Sequence, residues 1–189
     1  MKRPAIKAVE YELGENVLSH EELCARFGRA VMDKVLRVSG IRSRRVAGKS
    51  VCASDMAFLA AEKIFESGQA KREDIDLLIM ATQSPDYLLP TTACILQDRL
   101  GLKKTCAAFD INLGCSQYVY ALSCACAYLK SSLAKNALIL TGDTPTKTIN
   151  PMDKSAAAIF GDAASATYLE MDEGPGEISD FVFGTDGSG

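Results

Sequence analysis

The segment CAAFDINLGCSQYVYAL, from Cys106 to Leu122, decides how the chain is read. Its first third, Cys106 to Ile111, is a short apolar run of the length expected for a buried strand. Asn112-Leu113-Gly114 interrupts it, and asparagine and glycine are residues at which regular structure breaks. From Cys115 the apolar spacing lengthens, so that Val119, Leu122, Cys126 and Leu129 fall on one helical stripe. Strand, tight turn and helix thus follow one another, and Cys115 is expected to open the helix.

Outward from this turn the same alternation continues. DLLIMAT, Asp76 to Thr82, is apolar throughout its middle, as a central parallel strand covered on both faces would be. Ahead of it, Met56, Leu59, Ala60, Lys63 and Ile64 recur at helical intervals within a helix predicted over Cys52 to Glu66, with Gly68 as its stop. After it, Pro85 and Pro90 bracket a loop, and Thr91 to Leu100 reads as a helix ended by Gly101. Nearer the start, a strand is expected at Ile6 to Tyr11. Ser19 and Glu22 have capping-box spacing ahead of Leu23 and Phe27, and a short helix follows over Ala30 to Arg37. Downstream, Ala137 to Thr141 reads as a buried strand, Ala163 to Leu169 as a small-residue-rich strand and Ile178 to Gly184 as a last strand. Alternating strands and helices without repeat or low-complexity linker make this an α/β chain, read as one domain.

Composition bounds the function. Of 189 residues, 48% are hydrophobic and 24% charged, the balance of a folded globular protein. A formal net charge of -3 supplies no positive field for a phosphate backbone, so nucleic acid is not an expected partner. No apolar run approaches the roughly 18 residues that span a bilayer. Met1-Lys2-Arg3-Pro4 leads into charged sequence, so no membrane association is expected and a cytoplasmic location is. Seven cysteines, an odd number without an export signal, point to reduced thiols that are mostly small buried hydrophobes. Cys124 and Cys126 lie two apart on a helix and face different ways, with no histidine or second pair to complete a zinc site. No metal or cofactor is expected, and a thiol redox protein is disfavoured by the absence of Cys-x-x-Cys. His20, the single histidine, is expected to be an ordinary exposed residue.

Cys115 is the candidate for chemistry. A thiol reacts as thiolate, and a helix start offers unpaired N–H groups and the positive end of the dipole, both of which favour an anion. The same N–H groups can hold the oxyanion of a thioester under attack. Strand, turn, nucleophile and helix form the device of the hydrolase nucleophile elbow, although Gly-x-Ser-x-Gly is absent. On spacing alone, one more buried thiol is the commoner reading.

The string around it shifts that balance. FDINLGCSQYVYAL (Phe109 to Leu122) resembles the active-site segment of the β-ketoacyl-acyl-carrier-protein synthase III family. GIRSRR (Gly40 to Arg45), DLLIMATQSPDYLLPTTACILQDRLG (Asp76 to Gly101), IFGDAASATYLE (Ile159 to Glu170) and TDGSG (Thr185 to Gly189) resemble further family segments in the family's order. The resemblance implies a thiolase-like fold built from two duplicated layered α/β halves, of which residues 1–189 are the amino-terminal one. It implies that Cys115 takes an acyl group from an acyl-CoA or other acyl thioester donor, and that malonyl-acyl-carrier protein then condenses with it under decarboxylation. In the family a His and an Asn of the carboxy-terminal half promote that decarboxylation, so this chain alone is not expected to condense. A non-catalytic, ketosynthase-like interaction subunit is the alternative, as is a specialised condensing enzyme of secondary-metabolite or surface-glycan synthesis.

Further residues follow from the resemblance. Arg42, Arg44, Arg45 and Lys49 form a basic cluster near the expected donor entrance, where Arg42 is a candidate for phosphates or for an acidic carrier protein; a solvated charged loop is the plainer reading. Lys154 matches a basic position of the same region. Lys34 and Val38 stand where many members have the Trp and Arg that sandwich adenine. Gln117 replaces a common Gly, and Ala163 and Ser165 stand where Gly is usual, so the space beside the nucleophile is expected to be narrowed or re-lined. Leu89 matches the residue that reaches a partner subunit's acyl pocket, which implies a homodimer.

Overall fold

The computed structural model describes residues 2–174, 178 and 180–188. Its frame is a five-stranded mixed sheet. In chain order the strands and helices are β1 (Arg3–Leu13), β2 (Asn16–Ser19), α1 (His20–Phe27), α2 (Arg29–Ser39), β3 (Ser43–Val46), α3 (Ala53–Glu66), β4 (Leu77–Ala81), α4 (Thr92–Arg99), β5 (Ala107–Ile111), α5 (Gln117–Lys130), β6 (Asn136–Asp143), α6 (Lys154–Ala157) and β7 (Ala163–Asp172). The large sheet runs β1-β7-β6-β4-β5, and β2 pairs with β3 in a separate two-stranded ribbon. β4 is parallel to both β5 and β6, whereas β7 runs antiparallel to β6 and β1 antiparallel to β7.

Alternation along β4 explains the layers. Leu78 and Met80 face α3 and α4 in one core, together with Ala57, Ala60, Ile64 and Leu96. Leu77, Ile79 and Ala81 face α5 on the other side, against Ala121, Ala125, Cys126 and Leu129. All five β4 residues are fully buried, which is why that strand reads as a continuous apolar run. Truncating one of these large side chains to alanine would cost about 2–5 kcal/mol. Gly68 (φ +74°) and Gly101 (φ +64°) end α3 and α4 in left-handed backbone, as their positions in the sequence predict. The Ser19–Glu22 capping box is formed, with Ser19 Oγ accepting from Glu22 N and Glu22 Oε2 accepting from Ser19 N at 2.7 Å.

Several expectations are corrected. β2 and β3 have no counterpart in the sequence reading. The stripe on α5 holds at Cys126 and Leu129, both 2% exposed, but not at its start: Val119 is 45% exposed, while Gln117, Ala121 and Ala125 take the buried side, because small side chains let the helix sit close to the sheet. Of the last strand expected over Ile178 to Gly184, residues 178 and 180–184 are irregular and Ser179 lies outside the described residues. His20 is buried rather than exposed, because α2 folds back over the face of α1 that carries it. Among the described residues no helix is long and apolar enough to cross a membrane.

At the amino ends of the three parallel strands, Asp76 draws the chain together. Its carboxylate accepts from Lys103 Nζ ahead of β5 and from Lys135 N at 2.7 Å ahead of β6. Its own N–H donates to Asn136 O and its C=O accepts from Ala107 N. Burial by itself would raise the Asp76 pKa, but the hydrogen bonds from Lys103 and Lys135 and the lysine charge outweigh it and hold the carboxyl below its usual range. A depressed folded pKa stabilises above the unfolded value of about 4 and loses that contribution as pH falls through the folded value. Asp76→Asn is therefore expected to lower unfolding free energy by about 1–3 kcal/mol at neutral pH, with the gap to the unsubstituted protein closing below about pH 4. Urea melts across pH 3 to 7 would read this, and a gap that widens in acid would contradict it.

Candidate active site

The registers Leu77↔Ala107 and Leu77↔Ala137 hold the parallel strands level, so β4, β5 and β6 reach Ala81, Ile111 and Thr141 side by side. The loops that follow all emerge at one edge. Parallel sheets place their sites there, beyond the carboxyl ends of the strands. β7 starts at the same edge, with Ala163 paired to Asp143 on one side and to Leu13 on the other.

Cys115 stands in the loop after β5. The structure places it two residues ahead of the first helical residue rather than at the opening of the helix, because Gln117 N bonds to Gly114 O at 2.9 Å and Ser116, not Cys115, is the N-cap. The Ser116 side chain makes no capping bond, so the amino end of α5 is left to backbone groups, the partial positive end of the helix. A Cβ at Gly114 would meet nothing within 4 Å; glycine there leaves space beside the thiol rather than relieving strain. Cys115 itself is exposed.

Two adjoining depressions meet at this thiol. One, of about 410 Å³, is bounded by Leu13, Tyr118, Thr141, Ala163 and Ser165. The other, of about 500 Å³, is bounded by Gln83, Ser84, Pro145, Thr148 and Phe160. Cys115, Gln117, Asp143 and Gly161 line both. Phe160 also borders a third cavity of about 360 Å³, which continues toward Arg26 of α1 and Asn16 and Leu18 of β2.

The three residues singled out for re-lining this space do line it. Gln117 is 8% exposed, and its Nε2 donates to Asp143 Oδ2 at 2.9 Å. Ser165 and Thr141 share a hydroxyl hydrogen bond of 2.7 Å, which makes that wall polar. A Cβ at Gly142 would lie 2.7 Å from that of Ala164, so glycine is what lets β6 and β7 close beside the thiol. Sequence reasoning missed Asp143 and Asp162. Asp143 Oδ1 accepts from Gln83 N at 2.6 Å and Thr82 Oγ1 at 3.1 Å, so one carboxylate ties together the loops after β4 and β6 and the first turn of α5. Asp162, 1% exposed, accepts from Ala47 N, Thr146 N and Thr146 Oγ1 and anchors the segment that carries Gly161. Both follow a glycine at the end of an apolar run or loop, a pattern that signals a bridging carboxylate only once the strands are known to converge.

The basic cluster separates into different roles. Arg44 is buried, with its guanidinium donating to Ala158 O at 2.9 Å and Leu18 O. Arg45 donates to Gly14 O at 2.6 Å. These two hold the β2–β3 ribbon in place, whereas Arg42 and Lys49 are exposed. Lys154 is exposed on α6, and Lys34 and Val38 are exposed on α2. None of these five lines the depressions at Cys115. Leu89 is 81% exposed on the loop between β4 and α4, next to Leu88 at 93%.

The comparisons with known proteins point to one family. The family model described as 3-Oxoacyl-[acyl-carrier-protein (ACP)] synthase III matches residues 109–187. A crystal structure of a 3-oxoacyl-(acyl-carrier-protein) synthase III superposes with a TM-score of 0.93 at 44% identity, covering 98% of this chain and 55% of that one. The chain is 41% identical over 145 residues to beta-ketoacyl-[acyl-carrier-protein] synthase III 1 of Vibrio parahaemolyticus, covering 77% of this chain and 46% of that protein. It is 38% identical over 168 residues to the synthase III of Xylella fastidiosa, covering 88% and 51%. Fold and relatives define a thiolase-like condensing-enzyme architecture. Within that class the chain belongs to the β-ketoacyl-acyl-carrier-protein synthase III family, and it spans about half the length of the curated relatives it matches.

The thiols differ in their surroundings. Burial pushes Cys106 up to about 11, and burial also raises Cys126. Cys52 is raised by burial first and then by the charges of Asp86 and Asp55. Brief iodoacetamide treatment of the folded protein near neutral pH is expected to label exposed Cys115 and Cys94 and to spare Cys106 and Cys126 until the chain is unfolded. Peptide mass mapping reads the order, and modification of Cys106 or Cys126 ahead of Cys115 would contradict it.

Proposed function

We propose that the protein acts as a β-ketoacyl-acyl-carrier-protein synthase III type acyltransferase with Cys115 as its nucleophile. One observation carries the reading: an exposed thiol sits just ahead of a helix amino terminus, where three parallel strands end and two depressions meet. The thiolate adds to the carbonyl carbon of an acyl thioester, the carbon–sulfur bond to the donor breaks, and the donor thiol leaves. Decarboxylation of a malonyl-acyl-carrier protein then supplies a carbanion. That carbanion attacks the Cys115 thioester, forming the new carbon–carbon bond and returning the thiol.

The donor is an acyl-CoA or acyl-carrier-protein thioester, with Arg42 and Lys154 as exposed cations toward its phosphates or toward the acidic carrier. The cavity at the β2–α1 surface and the one at Cys115 adjoin at Phe160, which suits a donor chain that enters from that surface. Tyr87, Leu88 and Leu89 are 63%, 93% and 81% exposed, and such an apolar loop tip fits burial in the interface of a homodimer. The protein works in the cytoplasm, as part of fatty acid synthesis. Incubation with acyl-CoA and acyl-carrier-protein thioesters is expected to add one acyl group at Cys115, seen by intact mass and peptide mapping, and Cys115→Ala is expected to abolish the adduct. An adduct at another residue, or none with any thioester, would refute the assignment.

A further inference from the structure

A second cluster of reactive side chains lies away from Cys115, between α1 and α2. His20 and Cys24 are four residues apart and share one face of α1. Gly28, in left-handed backbone at φ +90°, turns the chain so that α2 packs back on that face. Asp33 of α2 then meets the pair: His20 Nε2 is 2.9 Å from Asp33 Oδ1 and 3.3 Å from Cys24 Sγ, and one donor atom from each residue lies within 4.8 Å of the others. His20 is held from behind, since its N–H donates to Arg42 O at 3.0 Å and Ser19 caps the helix it begins.

We propose that His20, Cys24 and Asp33 form a three-ligand zinc site with an open fourth position. A ring nitrogen carries at most one proton. Nε2 therefore either donates to Asp33 or accepts from Cys24, and hydrogen bonding leaves one neighbour of a largely buried imidazole unserved. A divalent cation between the three satisfies all of them. Zn–S of about 2.3 Å and Zn–N and Zn–O of about 2.0–2.2 Å, at tetrahedral angles, place the nitrogen and oxygen about 3.3–3.5 Å apart and the sulfur about 3.5–3.7 Å from either. His20 and Cys24 already stand near that separation, and the Asp33 side chain, 45% exposed, is free to adjust.

The donor set selects the metal. One thiolate, one imidazole and one carboxylate suit zinc, whereas magnesium and calcium take oxygen ligands. Coordination displaces the Cys24 proton to solvent, and a thiolate plus a carboxylate then balance the two positive charges, so the buried group is neutral overall. The exposed side of Asp33 gives the ion a path and leaves room for water or another ligand in the fourth position. The apolar cluster here is small, with Leu23, Cys24, Met32 and Ala158 at its centre, so a metal that joins α1 to α2 would add substantially to the hold between them.

The test uses the protein at its full native length, stripped with chelator and titrated with Zn²⁺ against a chromophoric zinc indicator, and with Co²⁺ followed by absorption. One zinc per chain and a thiolate-to-cobalt charge-transfer band are expected, together with a rise in Tm on zinc addition. Cys24→Ser should abolish the cobalt band, Asp33→Asn should weaken zinc by more than about tenfold, and Cys115→Ala should change neither. Asp33→Asn keeps shape at a half-exposed position, so its result stands even where Cys24→Ser fails to fold; circular dichroism checks both. The site is refuted if the protein takes up no stoichiometric zinc, if Asp33→Asn binds zinc as tightly as the unsubstituted chain, or if Cys115→Ala removes the cobalt band.

Discussion

The level register of β4, β5 and β6 is the constraint on which the rest of this structure depends. Parallel strands cannot be set by a hairpin turn; their alignment must be imposed by what lies beyond each end. Two carboxylates do so here. Asp76 gathers the amino ends through Lys103, Lys135 and two backbone bonds. Asp143 gathers the carboxyl ends through Gln83, Thr82 and Gln117. A slip of one residue would exchange Leu78 and Met80 for Leu77, Ile79 and Ala81 between the two cores, turning a side chain fitted to α3 and α4 toward α5.

From that register the position of Cys115 follows with little freedom. β5 must end at Ile111 because it ends level with Ala81, and α5 must begin close by because Ala121 and Ala125 have to reach the sheet. Between these fixed points only a short turn fits. Gln117 joins the turn to Asp143, so the residue that fills space beside the Cys115 thiol also fixes the helix start to the strand end. Its Oε1 is buried with no hydrogen-bond partner among the described residues, a cost of about 1–3 kcal/mol accepted at the very place where the depressions meet.

Much of this was legible in the sequence, and the reasons for success and failure are physical. DLLIMAT and ALILT are buried on both faces, so their composition alone declares them. The stops at Gly68 and Gly101 need left-handed backbone and so announce themselves. NVLS and SRRV do not: strands of four residues, partly exposed and rich in polar side chains, carry no period long enough to detect. Arg44 reads as a surface charge until the carbonyls of Leu18 and Ala158 are brought to it by residues far away in the chain. The α5 stripe held at Cys126 and Leu129 but missed the start of the helix, because hydrophobic size is a poor guide where a helix must lie close to a sheet; alanines share the inner face and Val119 is left outside.

His20 shows the same limit at a functional level. A histidine just after a capping serine, on a helix with charged neighbours, has every local mark of the surface. What buries it is the left-handed turn at Gly28, which brings Asp33 and Met32 over the same face. A side chain's environment is thus decided by the turn that follows its helix, not by the helix itself. The same holds for Cys115, whose exposure comes from strands that stop short and a helix that starts late, and so from turns rather than from anything in its immediate sequence.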